Sequence, residues 1–344
     1  MSTAKILVRA AVTRRALITL VAVSAVAVVA SLALGSRAIP LGELAGAAAG
    51  QGSIDVRTIF WQLRVPRTLL AYAVGACLAV AGVLAQAWTR NPLADPGFIG
   101  VTAGAAFAVA LGSAMGTVVG LAGATVHAFV GAAAASALVL VVSRRSASPL
   151  TLILVGMGVG ASLSAGSVLI GLFDTEVLDS MRHWVVGSTI GRGYADAAVA
   201  WAGFAVGMLV AVLAARPLDL LAMGEETSLA LGGSPRLARA LAALSVVILA
   251  GCATSTAGPV AFVGFAAPHI MRRIVGPQVS RLLLPSALFG GALVLLADVV
   301  GRLIMRPGEV EMSIVMAVIG GPVLIAAVRQ GSTMQKAVRR WTGS

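Results

Sequence analysis

Charged side chains beside long apolar runs are the residues in this sequence whose spacing could do chemistry. Arg64 and Arg67 are three residues apart, and Pro66 suits the first turn of a helix, so both guanidinium groups can lie on one helix face. Asp298 lies in another apolar run, four residues before Arg302. An acid within a membrane span is a functional candidate, although at this spacing it can simply pair with the arginine. Arg64 and Arg67 are expected to form a cationic binding face or, alternatively, to contact lipid phosphates.

The sequence lacks the groupings that are typical of catalytic sites. His127, His183 and His269 are far apart, and their spacing is not that of metal ligands. The lysines, Lys5 and Lys336, lie in no GxxxxGK[ST] phosphate loop. We therefore expect that the chain is not an enzyme and binds no cofactor of its own. Energy for any transport would come from an ion gradient or from ATP on a separate subunit.

A polar segment at 216–239 interrupts the apolar runs and is too ordered for a simple linker. Its leucines, among them Leu221 and Leu231, give short amphipathic stretches, and Gly224 and Gly232 are expected breaks between short helices. One interpretation is a docking surface for a soluble protein. The other is a pair of helices that rests on the lipid headgroups.

The elements that carry these residues are apolar to a degree typical of membrane proteins. Hydrophobic residues make up 59% of the 344 positions and charged residues 11%, against about 45–50% and about 25% in soluble domains. A helix needs about 20 apolar residues to cross a bilayer. The segments of suitable length are 16–35, 66–88, 97–119, 122–142, 151–172, 195–215, 237–257, 258–274, 283–305 and 312–328. The predicted fold is all-α, a polytopic membrane protein of about ten transmembrane helices that form a single domain over 1–344.

The net charge of +12 is distributed over the short connections between these segments, which indicates a lipid bilayer rather than a nucleic acid as partner. With the N-terminus in the cytoplasm, 17 of the 25 lysines and arginines lie inside and 8 outside, in agreement with the positive-inside rule. Because the number of spans is even, both termini are expected in the cytoplasm, and segment 216–239 is expected there too.

Four collinear segments resemble a known family. They are RVPRTLLAYAVGACLAVAGVLAQAWTRNPLADPGFIGVTAGAA at 64–106, LLAMGEETSLALG at 220–232, AGPVAFVGFAAPHIMRRIVG at 257–276 and LLLPSALFGGALVLLADVVGR at 282–302. The sequence resembles the FecCD-type permease subunits of ABC importers for ferric siderophores, haem and cobalamin. The resemblance covers nearly the whole chain after the first span. The amino-acid sequence of the segment NPLADPGFIGVTAGAA is most similar to the ferric-siderophore branch of the family.

The resemblance implies an assembly in the cytoplasmic (inner) membrane. Its other members would be a second permease subunit, identical or paralogous, two cytoplasmic ATPase subunits and an extracytoplasmic substrate-binding protein. The cargo would be a ferric chelate. No cofactor is implied for this chain, because ATP would bind to the partner subunit.

The resemblance also assigns roles to residues. Those matching the family's outer arginines, which pair with acids on the binding protein, are Arg64, Arg67 and Arg302. Segment 220–232 matches the coupling helices that contact the ATPase, and its candidate residues are Leu221, Gly224, Glu225, Glu226, Leu231 and Gly232. The turn that contributes to the inner gate of the family matches Ser148, Pro149, Leu150 and Thr151, although proline and leucine stand here where hydroxyl residues are common.

Two further segments are expected to be structural. Asp95 and Arg90, in and beside the NPLADPG run, are placed to cap helix ends. Gly258 and Pro259 resemble a break between two helices of the family.

The predicted function is the permease subunit of a binding-protein-dependent ABC importer, with ferric siderophore as cargo. Import of haem or cobalamin by the same mechanism is the alternative. An ion-coupled secondary transporter would place acids or broken helices at the midplane of two related halves. The sequence offers one such acid, Asp298, and no inverted repeat, so this third interpretation has less support.

Overall fold

The computed structural model describes residues 3–143 and 149–325, and within these ranges it contains helices and no strand. The helices in these ranges are α1 Thr3–Ala33, α2 Leu41–Ala48, α3 Ile54–Thr58, α4 Val65–Thr89, α5 Val101–Ala114, α6 Gly120–Ser143, α7 Pro149–Phe173, α8 Thr175–Val185, α9 Tyr194–Leu221, α10 Glu225–Ala230, α11 Pro235–Ala257, α12 Val263–Val275, α13 Val279–Ile304 and α14 Met312–Ile325. A π-helical turn, Ile59–Arg64, joins α3 to α4, and a 3-10 turn, Pro96–Ile99, precedes α5.

Seven helical segments in the described part of the chain are long and apolar enough to cross a membrane. They are Thr13–Ala33, Ile54–Thr89, Gly120–Ser143, Leu150–Phe173, Tyr194–Leu221, Pro235–Ala257 and Val279–Ile304. Each corresponds to one of the ten predicted spans, and α5, α12 and α14 correspond to the other three but are shorter. The all-α, polytopic membrane fold is thus confirmed, while the number of ten crossings stays a prediction.

Three predicted boundaries differ from the structure for local reasons. The predicted span 97–119 shortens to α5 because Gly100 and Gly116 adopt left-handed backbone conformations at its two ends. The predicted break at Gly258 is present and continues to Phe262, so α12 begins only at Val263. Irregular backbone of this kind is tolerated at membrane depth only where protein surrounds it, and the carbonyl of Ala257 accepts a hydrogen bond from the amide of Ser188.

The helix predicted to start at Pro66 in fact begins at Ile54 and runs without interruption to Thr89. Proline has no N–H to donate and interferes with the preceding helical turn. The π-helical turn Ile59–Arg64 ends two residues before Pro66, and its wider turn lets the helix continue through that proline. As a consequence, Arg64 and Arg67 belong to one continuous helix rather than to its first turn.

Hydrogen bonds define two opposite ends of the bundle. At the arginine end, Arg64 and Arg302 donate to backbone carbonyls at the C-terminus of α1. At the loop end, which carries residues 222–235, Arg90 donates to the carbonyl of Leu221 and Asp219 accepts from the amide of Val279. Helix α4 alone, with 25 residues, extends about 37 Å between the two ends.

Helix α4 lies at the centre of the bundle, and α7 lies at its periphery. Within the segment that contains α4, 89% of the apolar membrane-spanning stretch is buried by the rest of the protein, whereas in α7 only 11% of the corresponding stretch is buried. Small residues let α4 approach its neighbours closely: a Cβ at Gly75 would collide with the backbone of Gly290, and one at Gly82 with that of Gly264. The exposed surface of α7 is therefore available for contact with lipid or another subunit.

Candidate functional site

A cluster of buried charged side chains at the arginine end is centred on Asp298. The carboxylate of Asp298 is 1% exposed and accepts hydrogen bonds from Arg67 Nη2 at 2.8 Å, Arg302 Nε at 2.9 Å and Thr189 Oγ1 at 2.8 Å. An ionised carboxylate is costly to bury unless cations and hydrogen-bond donors surround it. Two guanidinium groups and a hydroxyl provide that environment, which fixes both arginines relative to α13.

Arg67 also binds a second carboxylate. Its Nη1 lies 2.6 Å from Oε2 of Glu309, a residue in the connection between α13 and α14. The side chain of Arg67 is 12% exposed and that of Glu309 is 19% exposed. Arg67 thus bridges a buried acid on one side and an acid near the surface on the other.

Arg64 is held in a different way. Its guanidinium donates to the carbonyls of Leu32, Ala33 and Arg37, at 2.7, 2.8 and 2.9 Å. The bonds to Leu32 and Ala33 cap carbonyls of the last turn of α1, which have no partner within the helix. Within the described part of the chain Arg64 has no carboxylate partner, so the dipoles of these backbone carbonyls compensate its charge.

Arg302 completes the cluster by joining α13 to α1. It donates to the carbonyl and the hydroxyl of Ser31, at 3.0 and 2.8 Å, and it forms an ion pair with Asp298. The hydroxyl of Ser31 also lies 2.7 Å from that of Thr68 on α4. The cluster therefore ties together three helices, and the predicted pairing of Asp298 with Arg302 is confirmed.

The cluster opens into a cavity of about 660 Å³ at the arginine end. The charged residues that line it are Arg37, Arg64, Arg67, Arg192, Arg302 and Glu309. Arg192 is itself paired with Asp196 at 3.3 Å, and burial lowers its pKa although that acid opposes the shift. The surplus of guanidinium groups makes this cavity suited to an anionic group such as a carboxylate.

The structure brings together the three arginines that the sequence singled out, but it places them inside the chain rather than on its surface. Arg64 and Arg302 are buried, and only an edge of Arg67 is exposed. Their docking role stays a prediction. Glu309 and Thr189 were missed, because neither lies within four residues of Arg64, Arg67 or Arg302 in the sequence. Only the presence of two acids in the short stretch PGEVEM could have drawn attention to Glu309.

At the loop end, the predicted coupling segment contains the short helix α10, and the helical structure is interrupted on both sides of it. Gly224 (φ 114°) and Gly232 (φ 77°) adopt positive φ at either end of α10, as the expected helix breaks require. Met223, Leu229 and Leu231 are each more than half exposed. Leu221, in contrast, is buried in the core and can contribute only by supporting the segment.

The two predicted acids of this segment have different surroundings. Glu225 forms an ion pair with Arg239 of α11 at 2.8 Å, and the hydrogen bonds from Arg239 hold the pKa of the Glu225 carboxyl below its ordinary value. The pair is therefore complete at neutral pH and is lost only as the pH falls through that lowered pKa. Glu226 is the second residue of the same helix and is exposed, which leaves its side chain accessible to another protein.

Both predicted helix caps are present. Asp95 Oδ1 accepts from the amide of Gly97 at 2.9 Å and caps the turn Pro96–Ile99. Arg90, with a positive φ of 51°, ends α4 and donates to the carbonyl of Leu221 at the end of α9. These contacts fix the α4–α5 connection and the start of the coupling segment at the same end of the bundle.

The other candidates are not brought into this site. Of the predicted gate, Ser148 lies outside the described residues, and Pro149, Leu150 and Thr151 form the start of α7 with Leu150 exposed. His127 lies 3.1 Å from Thr117 Oγ1, and His269 stacks on Phe265. Among the described residues no group of histidine, cysteine, aspartate and glutamate could hold a metal ion.

Comparison with known proteins identifies the family of the chain. Residues 22–330 match the FecCD transport family. The chain is 37% identical over 309 residues to the ferric enterobactin transport system permease protein FepD of Escherichia coli (strain K12), which covers 89% of this chain and 92% of that protein. It is 35% identical over 271 residues to the hemin transport system permease protein HmuU of Yersinia pestis, over 77% of this chain and 81% of that protein.

A solved structure gives the same result for the fold. It is described as a metal-chelate type ABC transporter in an inward-facing conformation, and it aligns with a TM-score of 0.82 at 30% identity over 92% of this chain and 99% of that one. The match therefore extends over nearly every helix described above. On the sequence match and on the fold, the chain belongs to the FecCD transport family.

Proposed function

We propose that the chain is the permease subunit of a binding-protein-dependent ABC importer and that its cargo is a ferric siderophore. The match of residues 22–330 to the family carries this proposal. Similarity to permeases for ferric enterobactin, ferric citrate and ferric hydroxamates supports the choice of cargo. Haem is the alternative that has a specific observation in its favour, namely the similarity to a hemin permease.

The two ends of the bundle suit two different partners. The cavity of the arginine end, with its surplus of guanidinium groups, suits acids of a substrate-binding protein. The exposed Met223, Leu229 and Leu231 of the loop end suit a groove on an ATPase subunit. The exposed length of α7 suits a second permease subunit, so that the importer would contain two permeases and two ATPases.

In the proposed topology, ten helices cross the cytoplasmic membrane, with both termini and the loop end in the cytoplasm. The excess of basic residues in the connections assigned to the cytoplasm supports this orientation. Helix α5, with 14 residues, and α12, with 13, are too short to span about 30 Å of hydrocarbon alone. Each would cross together with the irregular segment beside it, which neighbouring helices surround.

Thiol labelling of intact cells tests this orientation. Gln51 and Thr227 are exposed at the arginine end and the loop end, and the native Cys77 and Cys252 are buried, so background labelling should be low. In cells that express the permease alone, a membrane-impermeant maleimide should label Gln51→Cys from outside and Thr227→Cys only after permeabilisation. The reverse pattern would overturn the proposed orientation.

Uptake of labelled cargo tests the function itself. The permease, expressed with its ATPase and binding protein in cells that lack endogenous siderophore permeases, should support ATP-dependent accumulation of ⁵⁵Fe supplied as ferric siderophore. Unlabelled ferric siderophore should compete, whereas haem and cobalamin should not. Competition by haem would move the assignment to the haem branch. Uptake that persists without the ATPase and collapses with the proton gradient would indicate a secondary transporter instead.

A further inference from the structure

We propose that Glu309 is an internal substitute for the carboxylate of the binding protein: it occupies Arg67 in the free permease and is displaced when the binding protein docks. This inference rests on the proposed function, because it specifies how the arginine end receives that partner. It assigns to the connection between α13 and α14 a competitive contact that must open before docking is complete.

The two carboxylates on Arg67 differ in how firmly they are held. Asp298 is buried and accepts from three side chains, two of them arginines. Glu309 is 19% exposed and forms its ion pair with Arg67. It lies outside the long helices, between the end of α13 at Ile304 and the start of α14 at Met312.

This difference decides which carboxylate an incoming acid would replace. Moving Asp298 would remove the carboxylate that Arg67, Arg302 and the hydroxyl of Thr189 share, and breaking such a buried network is strongly unfavourable. Moving Glu309 breaks one ion pair close to the surface, and the released carboxylate can be hydrated. Pairs of this kind contribute little net free energy, so Glu309 is the group that exchanges.

The charges around the cavity indicate that the occupant is an acid. Five arginines line the cavity, and the carboxylates that pair with them are those of Asp298, Glu309 and Asp196, which leaves two positive charges in excess. Rotation of Glu309 out of the cavity would raise that excess to three and free Nη1 of Arg67, which now lies 2.6 Å from Glu309. An aspartate or glutamate on the binding protein would restore both the charge and the hydrogen bond.

Docking affinity measures the competition directly. The permease in nanodiscs is titrated with the binding protein of the same transport system, loaded with ferric siderophore. Glu309→Gln removes the competing charge, so we expect docking to tighten roughly two- to fivefold, as the loss of a partly exposed ion pair predicts. Glu311→Gln is the matched control: it removes the same charge two residues away, at a side chain that forms no ion pair with the described residues, and should leave affinity unchanged.

Two further variants separate the possible causes. Glu309→Asp keeps the charge but shortens the side chain, so it too should tighten docking if the direct contact with Arg67 matters. Arg67→Gln should weaken docking of the wild-type permease, as the proposed function requires. If Arg67→Gln has no effect on docking affinity, the proposal that the binding protein docks at the arginine end is wrong. If Arg67→Gln weakens docking but Glu309→Gln does not tighten it, only the competition is wrong.

A labelling experiment checks the same inference without the partner. An arginine-selective glyoxal reagent, followed by peptide mass analysis, reports the accessibility of Arg67. The rate of modification should rise in Glu309→Gln and stay unchanged in Glu311→Gln. Equal rates in the two variants, with both proteins folded, would contradict the assignment.

Discussion

Replacing Asp298 by asparagine is expected to lower the free energy of unfolding of the permease by about 3–5 kcal/mol, the range found when one partner of a buried ion pair is removed. The amide has nearly the shape of the carboxylate, so the packing of α13 hardly changes. The charge, however, is lost. Arg67 and Arg302 then remain largely buried without the acid that both of them contact.

Unfolding in detergent, followed by the fluorescence of an attached thiol probe or by the loss of the monomer peak, measures this effect. Glu43→Gln makes the same chemical change at an exposed acid of α2 and should alter stability by less than about 0.5 kcal/mol. Arg302→Met should cost less in the Asp298→Asn background than in the wild type, because the two residues are coupled. A similar stability for Asp298→Asn and Glu43→Gln would show that the cluster does not stabilise the fold.

The fold was largely accessible from the sequence because a bilayer imposes a simple length requirement on each helix. Every predicted span has a helix at its position. The predicted helix boundaries are wrong where the backbone conformation of particular residues, rather than hydropathy, decides where a helix ends. The apolar run 97–119 contains Gly100 and Gly116, whose positive φ ends α5 early, and hydropathy alone does not register such turns.

Only about half of the contacts in the site could be predicted from the sequence. The spacing of Asp298 and Arg302 predicted their pairing, since residues four apart on a helix are neighbours. The contact of Arg67 with Asp298 spans 231 positions and that with Glu309 spans 242, and no local pattern indicates which distant acid meets an arginine. Burial of Arg64 was missed for the same reason: the carbonyls that hold it belong to α1, a helix about thirty residues away in sequence.

The coupling segment illustrates a different limit. Its glycines were found because positive φ favours glycine, and its leucines because they give short amphipathic stretches. Which leucines face outward depends on how α10 lies against α9 and α11. The structure exposes Leu229 and Leu231 and buries Leu221, so the apolar contact expected with an ATPase is narrower than the sequence suggested.

Because Leu229 is exposed and Leu221 is buried, Leu229 is the leucine to substitute in the second prediction with a large expected effect, a loss of energy coupling. Leu229→Asp places a charge in the centre of the proposed ATPase contact. Removal of a central apolar anchor commonly costs at least about 2 kcal/mol of binding, which corresponds to a decrease in ATPase affinity of roughly thirtyfold or more. Because the side chain is 58% exposed in the free chain, the substitution should leave the stability of the permease nearly unchanged.

The measurements are the affinity of the ATPase for the permease, ATP-dependent uptake and the thermal stability of the permease alone. Leu41→Asp is the matched control, because Leu41 is a comparably exposed leucine in α2, at the opposite end of the bundle. Glu226→Arg should also weaken binding of the ATPase to the permease, and the loss of affinity should be larger at low salt. It is a cleaner probe than Glu225, whose reversal would also break the pair with Arg239. Normal ATPase binding and uptake in Leu229→Asp would place the coupling contact elsewhere, and a loss that is equal in Leu41→Asp would mean that the fold, not the contact, has failed.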